Sequence, residues 1–250
     1  MRKSDKQNWL VVSAIVLCVM LTLGLCYFLN GEGFISALNY GENEEKYYLV
    51  CAGAYENIAL ARAEASLVKS RGGAGYVLLA DDTYNVVLAA YPSEEEAQAV
   101  LSNAASGGAY VKEVCIGEVK SDWAEKDVRG SVEKALGYFG KTYSALREMA
   151  DGLSDETLTS VDVKNRLDVL RAEIDALRSA LNAATAGKDD ARYTEVKLAL
   201  VTAVALIDNA EIDASSSSSS TARVNAASSL RYQTVQLILC RQSLASALSQ

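Results

Sequence analysis

A long apolar segment near the start of the chain constrains what the chain can fold into. Trp9–Leu29 holds 21 residues without a charged side chain, and a helix of that length spans about 30 Å, the thickness of the hydrocarbon core of a bilayer. Three basic residues precede the segment and four glutamates follow it closely. The positive-inside rule therefore predicts a single-pass membrane protein in which residues 1–8 form a cytoplasmic tail and the rest of the chain lies outside.

A cleaved signal peptide is the alternative interpretation of this segment. Signal peptides have an apolar core of about 7–15 residues, followed by small residues at positions −3 and −1 of the cleavage site. Here the apolar core is longer, and the nearest candidate cleavage site, after Ala37, has Ile35 at position −3. These features favour an uncleaved transmembrane helix over residues 9–29.

The composition excludes several classes of function. The 250 residues include no histidine, and 32 acidic residues outnumber 24 basic ones, for a net charge of −8. Without histidine there is no Ser-His-Asp or Cys-His catalytic site and no histidine-containing zinc site. The negative charge argues against nucleic-acid binding, which needs a basic surface. The five cysteines form no CxxC pair or ligand cluster, so we expect neither a metal ion nor a cofactor.

The part of the chain that follows the apolar segment begins with a linker and a small α+β region. Residues 30–46 are acidic and interrupted by glycine, as in a spacer. Residues 47–118 alternate between strand-like apolar runs and amphipathic stretches, in the order β-α-β-β-α-β. This order is typical of the ferredoxin-like sandwich, in which two helices cover one face of a four-stranded sheet and leave the other face open.

Two aromatic strands in this region resemble a known family. The first strand ends in Gly53–Tyr55, and a later strand, Tyr84–Tyr91, is followed by Pro92 and by a helix that starts with three glutamates. With the intervening helix rich in alanine and glutamate, residues 47–118 resemble the SPOR (sporulation-related repeat) domain family. The resemblance implies binding of septal peptidoglycan, especially of glycan strands without stem peptides, by a domain outside the membrane in division or sporulation proteins.

The open face of the predicted sheet is where the resemblance implies glycan binding. Strand alternation assigns to this face Leu49, Cys51, Asn85, Val87 and Ala89. Family members commonly carry a glutamine at the position of Cys51, and polar or basic residues at the positions of Asn85 and Val87. An apolar face with a single amide offers few hydrogen bonds to sugar hydroxyls and more often marks an interface. We therefore predict a glycan-binding or partner-binding face that is covered by protein, either by the C-terminal half or by a separate partner.

The cysteines and tyrosines of this region each allow two interpretations. The first and last strands of a ferredoxin-like sheet are neighbours, so Cys51 and Cys115 could form a disulfide outside the cell, or they could be two small buried hydrophobic residues. Aromatic rings on strands could stack against sugars, although such rings more often belong to the core. The tyrosines concerned are Tyr47, Tyr48, Tyr55, Tyr84, Tyr91 and Tyr110.

Residues 122–250 show helical periodicity. The clearest apolar seam follows a 4-3-4-3-4 spacing through Val163, Leu167, Leu170, Ile174, Leu177 and Leu181. Breaks at Asp151–Gly152, Gly187–Asp190 and Ser215–Ser220 leave four segments of roughly 23 to 30 residues, which favours an antiparallel four-helix bundle. A coiled coil with a partner chain is the alternative, but the heptad pattern is sustained in only one segment.

The helical half offers no strong catalytic motif. Asp189–Asp190 and the pair Glu211 and Asp213 could act as the acid and base of a glycosidase. However, acidic residues at helix ends more often cap the helix or are solvated. We therefore predict no catalytic residues and no enzymatic activity.

The sequence thus predicts an α+β protein with an N-terminal transmembrane helix, a ferredoxin-like SPOR domain and an all-α antiparallel helical bundle. We expect it in the bacterial cytoplasmic membrane, anchored by Trp9–Leu29, with its bulk outside. The expected function is non-enzymatic binding of peptidoglycan glycan strands for localisation or scaffolding in cell division or sporulation. The alternative is a protein-interaction adaptor of the envelope in which the SPOR fold has lost glycan binding.

Overall fold

The computed structural model describes residues 45–103, 108–215 and 220–249, which form one compact unit. The predicted cytoplasmic tail, the predicted transmembrane helix and most of the predicted linker lie outside the described residues. Within the described ranges, no helix is long and apolar enough to cross a membrane.

The first part of the described chain is an α+β domain of four strands and two helices. In chain order the elements are β1 (Glu45–Tyr55), α1 (Ile58–Ser70), β2 (Tyr76–Ala80), β3 (Thr83–Tyr91), α2 (Glu94–Asn103) and β4 (Tyr110–Ile116). The strands form one antiparallel sheet in the order β2-β3-β1-β4. The element order is the one predicted from the alternating strand-like and amphipathic segments.

Local capping and turn chemistry explain where these elements begin and end. The Asn57 side chain caps α1 by accepting a hydrogen bond of 2.7 Å from the backbone N–H of Ala59. The hydroxyl of Ser93 likewise accepts a hydrogen bond from the N–H of Glu96 at 3.2 Å. The three glutamates that follow Ser93 stabilise α2, because their negative charges lie at the positive end of the helix dipole. Gly75, with φ +56°, makes the turn from α1 into β2 in the left-handed region.

Four long helices follow: α3 (Lys126–Ser154), α4 (Ser160–Ala184), α5 (Ala191–Ser215) and α6 (Ser220–Leu248). Each helix packs against the next one in the chain, and α6 also packs against α3. The predicted seam of α4 faces the helical core: every member is buried except Leu177, which is partly buried against the same core. We refer to α3–α6 as the helical region.

The α+β domain and the helical region share one hydrophobic core. Leu49 and Cys51 of β1, Val87 of β3 and Ile116 of β4 belong to the same buried cluster as the seam residues of the four long helices. A second, smaller cluster on the other side of the sheet joins Val86 to three residues of α1. We call the side that packs on the helical region the inner face of the sheet, and the side that packs on α1 the outer face.

Candidate functional site

The inner face of the sheet is covered by the chain's own helices. The side chains of Leu49, Cys51 and Val87 have no exposed surface. Helix α6 packs against β3 and β4, and Tyr143 of α3 donates a hydrogen bond of 3.1 Å to the carbonyl of Ala90. Three of the five residues predicted for a glycan-binding or partner-binding face, Leu49, Cys51 and Val87, therefore lie in an internal interface with the C-terminal half. The C-terminal half is one of the two covers that the sequence allowed.

Asn85, the only amide of the predicted face, is a structural residue. Its side chain is 3% exposed, and its amide nitrogen donates to the carbonyls of Thr83 and Leu78 at 3.1 and 3.2 Å. Its oxygen accepts a hydrogen bond from the hydroxyl of Tyr110. Because these partners satisfy the amide, Asn85 holds the β2–β3 hairpin and β4 together and presents no free group to a ligand.

Ala89 departs from the predicted alternation. The pairing of β1 with β3 is regular from Leu49–Ala90 to Val50–Ala89, and the register then shifts around Cys51, which pairs with Val87. As a result Ala90 joins the buried cluster with Leu49 and Val87, whereas Ala89 is only partly buried and is not a member of it. An irregularity of this kind changes which residues share a face, because each added residue shifts the alternation by one position.

Polar side chains of α6 fix the helical region to the α+β domain. Arg231 donates through Nη1 to the carbonyl of Gly72 at 2.7 Å, and Ser228 donates through its hydroxyl to the carbonyl of Gly73 at 2.7 Å. At the other end of the helix, Gln242 donates through Nε2 to the carbonyl of Cys115 at 3.0 Å. These bonds satisfy backbone carbonyls of a loop and of a strand end, so α6 supplies polar groups that the sheet domain lacks.

An ion pair between a buried arginine and a partly buried glutamate joins α6 to the first strand. Arg241 is 5% exposed, and its guanidinium donates to the carboxylate of Glu45 at 2.6 Å. The hydroxyl of Tyr47 donates to the same carboxylate at 2.6 Å. Burial, together with the charge of Glu45, raises the pKa of Tyr47 well above its ordinary value, so this hydroxyl stays protonated and continues to donate.

Of the two interpretations of Cys51 and Cys115, the structure excludes the disulfide. Cys51 pairs across the strands with Tyr110, and Cys115 pairs with Lys46, so the two cysteines lie five residues apart along the ladder, or roughly 16 Å at the rise of a strand. A disulfide needs its two Cα atoms within about 7 Å. Cys51 is instead a buried hydrophobic residue, and burial raises the pKa of its thiol to about 11. Cys115 is exposed.

The tyrosines and acidic pairs considered in the sequence take mainly structural roles. Of the six tyrosines named above, Tyr47 is buried and the other five are partly buried. Asp190 accepts hydrogen bonds from the backbone and the guanidinium of Arg192 at 2.9 and 2.6 Å, and Arg192 lowers its pKa. A glycosidase acid needs a raised pKa, so Asp190 does not fit that role. The side chains of Glu211 and Asp213 lie outside the described part of the structure.

A large open cleft lies where the α+β domain meets α3. Its volume is about 1110 Å³, and its walls come from the start of β1, the turn into α2, the second half of α3, the connection to α4 and Arg166. Four exposed carboxylates line it: Glu94 and Glu95 on the α2 side, and Glu148 and Asp155 on the α3 side. Among the described residues, no group of three or more potential metal ligands is close enough to hold an ion.

Sequence reasoning identified the inner face and missed the cleft. The apolar residues that alternate along β1 and β3 indicated that this face packs against another part of the chain or another protein. The cleft is assembled from segments up to about 120 residues apart in the sequence, and each of its carboxylates looks like an ordinary solvated charge when the chain is read alone. No local pattern could have grouped them.

Comparison with known proteins identifies one domain. Residues 43–116 match the family model of the SPOR domain, as the sequence motifs predicted. No curated protein and no solved structure matches the chain. SPOR is a family of binding domains rather than of enzymes, and the match suggests a function related to peptidoglycan binding and cell division.

Proposed function

We propose that this chain is a non-enzymatic protein-interaction adaptor of the bacterial cell envelope, in which the inner face of the SPOR sheet supports the helical region instead of binding glycan. In this proposal Trp9–Leu29 anchors the chain in the cytoplasmic membrane, and the ferredoxin-like domain with its antiparallel helical bundle lies outside. The family match supports a place in cell division, and a place in sporulation is the alternative within this proposal. One observation carries the proposal: the inner face is part of a continuous core with α3 and α6.

The energy of that core decides between an adaptor and a glycan-binding protein. Four aliphatic side chains of the inner face lie in the shared core: Leu49, Val87, Val114 and Ile116. Burial of one such side chain stabilises a protein by about 1.5–3 kcal/mol, so exposing all four would cost about 6–12 kcal/mol as an upper estimate. This cost approaches the whole stability of a typical domain, about 5–15 kcal/mol.

A glycan strand would have to supply this energy before any net affinity appeared. A dissociation constant of about 1 μM corresponds to only about 8 kcal/mol. Binding at the inner face with that affinity would therefore need about 14–20 kcal/mol of gross interaction energy from an apolar surface that offers sugar hydroxyls few hydrogen bonds. The geometry favours retention of the helices on this face.

Glycan binding is the second candidate, because residues 43–116 match a family that binds peptidoglycan. Sedimentation separates the two functions. The full-length chain, purified in a mild detergent, is incubated with intact cell-wall sacculi and with sacculi whose stem peptides have been removed. An adaptor stays in the supernatant with both preparations. Selective pelleting with the stripped sacculi would contradict the proposal and establish glycan recognition.

Two arginines of α6 provide a matched pair for the same assay. Arg231 bonds to the carbonyl of Gly72, whereas Arg223 pairs with Glu156 of the α3–α4 connection at 2.7 Å. If the helices mask a working glycan site, Arg231→Ala should increase pelleting with stripped sacculi and Arg223→Ala should not. For an adaptor, we expect neither substitution to increase pelleting.

A further inference from the structure

We infer that the cleft between α2 and α3 is the docking site for a lysine- or arginine-rich segment of a partner protein. The inference rests on the proposed adaptor function and names the chemistry of the partner. It starts from the size of the cleft. At about 1110 Å³, the cleft is slightly larger than the usual 300–1,000 Å³ of pockets for small molecules. An extended peptide segment suits a cleft of that size and shape.

The floor of the cleft is kept open by small residues. Gly140, Ser144 and Glu148 line it at successive four-residue intervals, so they lie along one face of α3. The first two have small side chains, which leave space in front of this part of the helix. This stretch of α3 is therefore shaped to leave room, while the opposite side of the helix packs into the core.

The charge of the cleft selects a cationic occupant. Three basic residues line the cleft: Lys46 pairs with Glu113 at 2.9 Å, Arg147 pairs with Glu96 and Asp151, and Arg166 is exposed. Six acidic residues line the same cleft, so its net charge is negative even with all three basic residues counted. The four carboxylates of the walls form no ion pair within the described part of the chain. Carboxylates that face each other across a cleft concentrate a negative potential, which attracts distributed positive charge.

The fold explains the carboxylates of Glu94 and Glu95 on one wall but not that of Asp155 on the other. Glu94 and Glu95 occupy the first turn of α2, where acidic residues stabilise the helix dipole. Asp155, in contrast, stands at the C-terminal cap of α3, whose last turn holds no basic residue. A negative charge is unfavourable at that end of a helix. A cation bound in the cleft would compensate this charge.

Other ligand classes fit the cleft less well. A glycan strand without stem peptides carries the lactyl carboxylates of its muramic acid residues, which the carboxylates of the walls would repel. A single divalent cation requires several ligands within about 2.6 Å, and the described residues hold no such cluster. The half-buried ring of Tyr48 at the edge of the cleft adds a surface on which a guanidinium or ammonium group can bind.

Fluorescence anisotropy with a defined probe tests the inference. The full-length chain in mild detergent is titrated into a fluorescein-labelled decapeptide of lysine, glycine and serine, and into a decapeptide with glutamate in place of lysine. We expect binding of the lysine peptide only, weakening as NaCl is raised. The variant E94Q/E95Q/E148Q/D155N should bind about 10-fold more weakly or worse, because each surface charge pair contributes modestly and four are removed.

A matched variant controls for the overall negative charge of the protein. Asp168 and Glu195 are exposed carboxylates on α4 and α5, away from the cleft. We expect D168N/E195Q to change the affinity for the lysine peptide less than about twofold. Equal losses in D168N/E195Q and in the half-variant E148Q/D155N would overturn the inference, since binding would then follow net charge alone. Absence of binding by the unmodified chain would also overturn it.

Competition with sugar separates this inference from the proposed function. Soluble glycan strands without stem peptides are added to the complex of the chain and the lysine peptide. Displacement of the peptide would assign the cleft to sugar and overturn the docking site. Pelleting of the chain with stripped sacculi while the lysine peptide stays bound would contradict the proposed adaptor function alone, because the sugar would then bind elsewhere.

Discussion

The two faces of the SPOR sheet differ in what they pack against. The inner face contributes large aliphatic and aromatic side chains to a core shared with four long helices, whereas the outer face forms a small cluster with three residues of α1: Ala61, Ala65 and Val68. On the outer side, Leu60 and Leu67 of α1 remain 61% and 50% exposed. The face that a ferredoxin-like sheet usually leaves open is therefore the better buried one in this chain.

This difference shows that a ferredoxin-like sheet can pack on long helices through its usually open face without a change in its topology. The order and pairing of the strands are those expected for residues 47–118. Apolar residues at Cys51 and Val87, where the family commonly has polar ones, suit a surface that another part of the chain covers. A few side chains on one face are sufficient for that change, because strand pairing depends mainly on the backbone.

The largest expected effect is that of Val87→Arg on the inner face. The substitution places a charge, without a partner, in the core that both regions share, and we expect a loss of more than about 4 kcal/mol. Far-UV circular dichroism should show that the helical and strand signals are lost together. Leu79→Arg on β2, where the side chain is 62% exposed, is the control and should fold normally. Loss of the sheet with retention of the four long helices would contradict a single core.

A substitution on the outer side of the sheet tests whether the smaller cluster also contributes to the stability of the protein. Gly75 has φ +56°, and a Cβ at this position would overlap the carbonyl of Ala65 and the side chain of Lys69. We expect Gly75→Ala to destabilise the protein by about 2–4 kcal/mol, from backbone strain and from the forced movement of α1. Urea unfolding measures this effect. Gly117→Ala, where an added Cβ meets no atom within 4 Å, should stay within about 0.5 kcal/mol of the unmodified chain.

The partly buried ion pair of Arg241 and Glu45 gives an intermediate effect at the edge of the inner face. Arg241→Ala leaves the Glu45 carboxylate and the Tyr47 hydroxyl without their cation. Because Glu45 keeps some contact with water, we expect a loss of about 2 kcal/mol in urea unfolding, less than for a fully buried pair. Adding Glu45→Gln to Arg241→Ala should recover part of the loss. A double variant less stable than the single one would show that the pair is not the main interaction there.

The sequence allowed the order of the elements to be predicted, but not every packing detail. The seam from Val163 to Leu181 follows from helical periodicity, and the α+β domain from its alternating segments. The predicted break at Asp151–Gly152 was wrong by a few residues, because α3 continues to Ser154. Gly152 is small for another reason: a Cβ there would lie 2.6 Å from Cδ1 of Leu158, so the glycine makes room for the chain that follows α3.

The candidate site was harder to predict than the fold, because it depends on irregular backbone and on distant segments. The shift in register around Cys51 brings Ala90 into the core in place of Ala89. A prediction that assumes strict alternation of side chains along a strand cannot include such a shift. Likewise, the bond from Arg231 to the carbonyl of Gly72 joins residues 159 positions apart. The composition of α6 does not reveal which surface it will cover.

The smallest expected effects come from two helix caps, one in each region, and they test whether both regions unfold as one. Asn57 caps α1, and Thr159 caps α4 with reciprocal hydrogen bonds between its own groups and Asp162. Asn57→Ala and Thr159→Ala should each lower the free energy of unfolding by about 1 kcal/mol. In a single cooperative transition, each substitution shifts the strand and helix signals equally. Separate transitions for the two variants would show that the shared core does not couple the regions.

The cap of α4 also predicts a dependence on pH. Two hydrogen bonds from Thr159 lower the pKa of Asp162. The bond from the side chain has the larger effect, and the bond from the backbone has the smaller one. A carboxyl whose pKa is lowered by folding stabilises the protein above its unfolded pKa, about 4, and this contribution is lost as the pH falls through the folded pKa. Because Thr159→Ala removes the larger cause, the difference in stability between the unmodified chain and the variant should shrink as the pH falls from 6 to below 3. Urea unfolding at each pH measures that difference, and a constant gap would mean that the hydroxyl acts on the helix without involving Asp162.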